Sequence, residues 1–146
     1  MLTEVQMIVR LLCAAFLGGV VGIEREMHEK AAGFRTHILV CIGSCVIMLT
    51  SMHLFDVYNG VASVDPGRIA AQVVSGIGFL GAGTIIRSRV SVVGLTTAAS
   101  LWSIAGEGLA VGSGLFIMSA FATVLILSSL LVLSKVHDKV SRKISK

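Results

Sequence analysis

Long stretches without a charged residue constrain this chain more than any other feature. Residues 36–55, 69–86, 90–106 and 108–134 carry no Asp, Glu, Lys or Arg, and 5–23 carries only Arg10. A membrane span needs roughly 20 mostly apolar residues, so the pattern reads as several spans laid end to end. The composition agrees: of 146 residues 55% are hydrophobic and 14% are charged. A soluble domain carries about 25% charged residues and has no interior large enough to hide so much apolar surface. Only helices or closed barrels satisfy the backbone inside a bilayer, and these runs are of helical length. The chain is therefore expected to be an all-α polytopic membrane protein, which excludes soluble enzymes and nucleic-acid binders.

About five transmembrane helices fit, over 5–23, 38–55, 69–86, 94–109 and 115–134, followed by a basic cytoplasmic tail at 135–146. The last two require a break, which Gly106, Gly108, Gly112 and Gly114 with Glu107 are expected to supply. The positive-inside rule favours this count. With the tail (Lys135, Lys139, Arg142, Lys143, Lys146) inside, Arg25, Lys30, Arg35, Arg87 and Arg89 also lie inside, leaving only Arg10 and Arg68 outside. The expected topology is N-terminus out and C-terminus in. Four spans would divide the basic loops between the two sides. The N-terminus carries Glu4 and no basic cluster, and Ile23 runs into Glu24-Arg25-Glu26 without a small-residue cleavage site, so the first segment reads as a retained span and not a secretory signal. Gly33-Phe34-Arg35-Thr36 and Gly94-Leu95-Thr96-Thr97 open the second and fourth spans alike. That likeness fits either a duplicated two-helix hairpin or chance similarity between Gly-rich segments.

The glycines point to close helix packing. Gly76-Ile77-Gly78-Phe79-Leu80-Gly81 matches the dinucleotide-binding GxGxxG letter for letter, but no strand precedes it and no acid follows near position 100. Gly18, Gly22, Gly76, Gly78, Gly81 and Gly83 are expected to let helices approach, and Gly18-xxx-Gly22 offers a surface for a homo-oligomer. Asp65-Pro66 reads as a helix start. Behind it Arg68, Gln72, Ser75, Gly76, Phe79 and Gly83 share one face, and Thr96, Ser100, Ser103 and Glu107 share another. Polar groups are costly at membrane depth, so both stripes are expected to face the bundle. Asp65, Arg68 and Glu107, with Gln72 one turn deeper, are expected near the outer surface. There they form either an ion-pair network or oxygen ligands for a cation such as Mg²⁺, which needs few carboxylates. The alternative is a helix cap at Asp65 and a loop charge at Glu107.

Glu24-Arg25-Glu26 reads as a charge-balanced loop with Glu26 and Lys30 at pairing distance, and Arg35 as the basic residue with the most specific role. His37, Cys41 and Cys45 share a helix face; buried small hydrophobes explain them better than a soft-metal site. No Ser-His-Asp set, Walker motif or HExxH occurs, so no enzyme is expected and no cofactor is required.

Gly22-Ile23-Glu24-Arg25-Glu26, Ala32-Gly33-Phe34-Arg35-Thr36-His37, the run Asp65–Gly83, Gly94-Leu95-Thr96-Thr97-Ala98-Ala99 and Leu101-Trp102 resemble the MgtC/SapB family of bacterial inner-membrane proteins, over about 18–112. The resemblance implies a small inner-membrane protein linked to magnesium limitation and, in some pathogens, to virulence through survival inside host cells. It also implies that members of the MgtC branch act by restraining the membrane part of the F-type ATP synthase. Many members add a soluble C-terminal domain, and the resemblance does not carry over any regulation that depends on it. The expected function is regulation of another membrane protein, because no carboxylate is expected at mid-membrane depth. The alternative is a small transporter or sensor of a cation (Mg²⁺ or H⁺) that uses the polar helix faces.

Overall fold

The computed structural model describes residues 2–61, 63–89 and 91–144, with side chains described as far as Val132. It is an all-α membrane protein of five helices: α1 (Glu4–Met27), α2 (Phe34–Tyr58), α3 (Pro66–Gly83), α4 (Leu95–Ser113) and α5 (Phe116–Ile144). A two-stranded antiparallel hairpin, β1 (Ile86–Arg87) and β2 (Val92–Val93), joins α3 to α4, pairing Ile86 with Val93 and Arg87 with Val92. α1 and α2 are each long and apolar enough to cross a bilayer, and α5 is apolar over Phe116–Val132. Of the basic tail, Lys146 lies outside the described residues, and Lys135, Lys139, Arg142 and Lys143 have no described side chains.

Local chemistry sets the helix ends. Thr3 accepts a hydrogen bond from the Gln6 amide at 3.3 Å while Gln6 Oε1 accepts from the Thr3 amide at 3.0 Å, a reciprocal cap that starts α1. Asp65 caps α3 by accepting from the Gly67 amide at 2.8 Å, with Pro66 in the first turn. Gly114 closes α4 at φ +93°, where a residue with a Cβ would be strained.

The break between α4 and α5 is confined to Gly114 and Leu115. Gly106, Glu107, Gly108 and Gly112 were expected to interrupt the chain, but they continue α4 without interruption. A glycine costs an isolated helix about 1 kcal/mol, and here close packing offsets that cost. α1 likewise runs through Glu24-Arg25-Glu26, which forms its last turn and not a loop.

α2 sits at the centre, packed most extensively on α1 and α4. Its core contacts are Ala14 and Val21 of α1, Cys41, Cys45 and Leu49 of α2, and Ile104 and Val111 of α4. A Cβ on Gly22 would stand 2.8 Å from the Phe34 Cα, and one on Gly18 2.9 Å from the His37 carbonyl oxygen. Where α4 meets α2, a Cβ on Gly112 would stand 2.9 Å from the Cys45 carbonyl oxygen. These glycines let three backbones approach where no hydrophobic effect drives helices together. Gly18-xxx-Gly22 is thus occupied within the chain, so the expected surface for a second copy is not free. Gly81 packs on Ala98 of α4, whereas Gly76, Gly78 and Gly83 face open space.

Apolar side chains cover much of the outer surface: Val5, Leu12 and Phe16 on α1, and Ile117, Phe121 and Val124 on α5. They are what a helix presents to acyl chains.

Candidate functional site

Two buried polar centres and one exposed polar stripe hold the candidate residues. The first centre lies at the end of the bundle that carries the 28–33 loop and the β-hairpin. Glu24 and Arg25 are buried there, with Arg25 Nη1 at 3.4 Å from Glu24 Oε2. His28 Nδ1 lies 3.2 Å from Glu24 Oε1. The solvated loop expected at these residues is therefore a packed ion cluster, because α1 carries them down onto α2. Arg25 Nε is buried without a hydrogen-bond partner. Glu26 is exposed and does not pair with Lys30. Its Oε2 accepts from the Phe34 amide at 2.8 Å and so ties the end of α1 to the start of α2. Arg35 is exposed on the first turn of α2.

One turn into α2, His37 is fully buried. Its Nδ1 donates to the Gly33 carbonyl at 2.9 Å and its Nε2 lies 3.1 Å from Ser100 Oγ. The imidazole thereby links α2 to α4. Cys41 and Cys45 follow on the same face, buried and free. Among the described residues no three His, Cys, Asp or Glu side chains cluster as metal ligands.

The second centre is Glu107. Only 4% of it is exposed, and its Oε1 accepts from the Thr123 hydroxyl of α5. Its Oε2 is buried without a partner. A carboxyl group expected near the surface thus sits inside the bundle, about two turns from the end of α4. Farther along α4, the Gly112 carbonyl accepts from Arg10 Nη1 of α1 at 2.6 Å. A cation at the C-terminal turn of α4 is favourably placed against the helix dipole. Thr123 and the Arg10 contact escaped sequence reasoning. Arg10 was visible as the one charge in its run, but its target is a backbone carbonyl 102 residues away in the chain.

Asp65, Arg68 and Gln72 do not join Glu107. All three are exposed, and they line one open groove of about 590 Å³ beside Ser63 and Val64. The reason is the rotation of α3. Its buried positions are Ile77 and Gly81, whereas Arg68, Gln72, Ser75, Gly76, Phe79 and Gly83 are exposed, with Phe79 84% exposed. The stripe expected to face the bundle faces away from it. On α4 the expected stripe divides: Ser100 and Glu107 are buried, Ser103 is half-buried and Thr96 is exposed.

The sequence pattern of the MgtC family matches residues 11–139. The chain belongs to the MgtC family. It is 43% identical over 143 residues to the Escherichia coli K12 protein named "Putative magnesium transporter YhiD", covering 97% of this chain and 65% of that one. It is 44% identical over 136 residues to the protein named MgtC of Salmonella typhimurium LT2, covering 92% of this chain and 55% of that one. The chain thus spans 55–65% of the length of these two relatives. No solved structure matches it. Within this MgtC-family fold, the matched region includes both buried centres and the outward stripe of α3.

Proposed function

We propose that this chain is a non-enzymatic protein of the bacterial inner membrane. In this reading it serves magnesium homeostasis and low-magnesium adaptation by docking on another membrane protein through α3. The observation that carries the proposal is the outward polar face of Arg68, Gln72 and Ser75. Amide and hydroxyl groups turned toward lipid are costly, and a partner helix that hydrogen-bonds them removes the cost. The small residues beside them, Ala71, Gly76 and Gly83, let that helix come close. The membrane part of the F-type ATP synthase is the partner suggested by the family's MgtC branch. In this reading the N-terminus lies outside and the C-terminus in the cytoplasm, the orientation that the distribution of basic residues favours.

Growth under magnesium limitation tests this reading. In a strain lacking the protein, Gln72→Leu and Ser75→Leu are expected to accumulate normally and fail to restore growth. Val74→Leu, on the apolar flank of α3, is expected to restore it. Full rescue by both stripe variants would remove the docking reading.

The unpartnered Glu107 Oε2 favours a second reading, a cation transporter or sensor. Buried carboxyl groups in membrane proteins are common stations for protons and cations. Its natural ion would be Mg²⁺ or H⁺, and Glu107→Gln would then abolish flux in vesicles.

A further inference from the structure

A second groove, of about 430 Å³, lies at the hairpin end of the bundle. Ala31, Ala32, Thr36, Leu80, Ala82 and Leu101 form most of its wall. The wall is largely apolar, and it joins the end of α3 to the loop between α1 and α2. Basic residues neighbour its lining in the chain. Lys30 directly precedes Ala31, Arg35 directly precedes Thr36, and Arg87 lies on the hairpin that follows Thr84, another residue of the wall. All three are exposed, and among the described residues none has an acidic partner. The carboxylates at this end do not balance them. Glu24 is buried with Arg25, which leaves exposed Glu26 and Glu29 against four exposed cations, Lys30, Arg35, Arg87 and Arg89.

The hairpin supplies an independent observation. Ile86 and Val93 are cross-strand partners and are 66% and 53% exposed, next to the exposed Arg87. An apolar pair beside a cation on a short uncovered hairpin suits the boundary between headgroups and acyl chains, where the aliphatic side chains enter lipid and the guanidinium stays at the phosphates.

We propose that this groove binds one anionic phospholipid, with an acyl chain against Ala32, Leu80 and Leu101 and the phosphate held by Arg35 and Arg87. The apolar wall and the excess of cations at this end of the bundle match the two ends of such a molecule, and together they fit neither a soluble anion nor an uncharged lipid. The site is separate from the Arg68–Gln72 surface, which lies at the opposite end of α3, so it stands or falls apart from the proposed docking.

The chain contains a single tryptophan, Trp102, which is 56% exposed and adjoins Leu101 of the groove wall. Its fluorescence can therefore report on a lipid held there. The purified full chain is reconstituted in phosphatidylcholine, with a fraction replaced by dibrominated phosphatidylglycerol or dibrominated phosphatidylcholine. The phosphatidylglycerol form is expected to quench at several-fold lower mole fraction. A basic residue near charged lipid contributes about 1 kcal/mol, so Arg35→Gln and Arg87→Gln should each lower the preference about fivefold. Arg68→Gln, at the other end, should leave it unchanged. Ala82→Phe, which fills the groove and spares the charges, should lower quenching by the anionic lipid. Equal quenching by the two lipids in the native protein would overturn the proposal. So would a preference that survives the Arg35→Gln/Arg87→Gln double variant, or one lost equally on Arg68→Gln. Undiminished quenching in a folded Ala82→Phe protein would show that the headgroup meets only a basic surface, and would also overturn it.

Discussion

Two glycines two positions apart on α4, Gly106 and Gly108, should respond oppositely to the same substitution. A Cβ at Gly108 would meet the Cys41 carbonyl oxygen and would stand 2.7 Å from Ser44 Cβ and 3.0 Å from the Cys41 carbonyl carbon. These are mainly backbone atoms of α2, which cannot swing aside as the end of a flexible side chain would. Nor can α2 shift freely, because Gly18 and Gly22 hold the backbone of α1 against it as well. Gly108→Ala must therefore separate α4 from α2, and overpacking of this kind costs about 1–3 kcal/mol. For a domain of this size that corresponds to a melting temperature lower by about 2–12 °C. A Cβ at Gly106 meets nothing within 4 Å. Gly106→Ala only restricts the unfolded chain and favours the helix, a gain of about 0.5–1 kcal/mol. Thermal aggregation of the purified variants in one mild detergent, followed by size-exclusion chromatography, measures both. Gly108→Ala melting with the native protein, or Gly106→Ala losing as much stability as Gly108→Ala, would refute the packing account.

Other substitutions test the polar contacts by the same assay. Thr123→Val removes the donor to Glu107 and leaves both carboxyl oxygens without a protein partner, so a loss of about 1–3 kcal/mol is expected; an unchanged melting temperature would mean that Glu107 does not depend on α5. Arg10→Met keeps the apolar stem but loses the bond to the Gly112 carbonyl, and should destabilise by about 1.5–3 kcal/mol, with Arg10→Lys recovering part of it. Asp65→Ala should cost about 1 kcal/mol through the lost cap while Asp65→Asn stays near native, and equal losses from the two would assign Asp65 a role beyond capping.

The helices were legible in the sequence because the periodicity and length of the apolar runs are local properties. So were the cap at Asp65 and the close-packing role of Gly18 and Gly22. Which partner each face meets is not local. The stripe on α3 could be recognised as polar, but its direction depends on how Ile77 and Gly81 seat against the other helices. The sequence expectation rested on the rule that polar groups turn inward, whereas on α3 Ile77 and Gly81 take the inward positions. Glu107 was misplaced for a related reason. Glycines that read as a break are here the residues that permit contact with α2, so the helix continues and carries the carboxyl group inside. A carboxyl group at that depth means that the lack of one no longer favours regulation over transport. The preference now rests on the outward face of α3 instead.

Regulation through a surface and conduction through the bundle diverge most directly in magnesium flux. The purified chain, reconstituted in vesicles that enclose a magnesium-sensitive dye, is exposed to an inward Mg²⁺ gradient with and without a membrane potential. The account predicts an entry rate equal to that of protein-free vesicles. Saturable, protein-dependent entry abolished by Glu107→Gln would contradict it and make the buried carboxyl group part of an ion path.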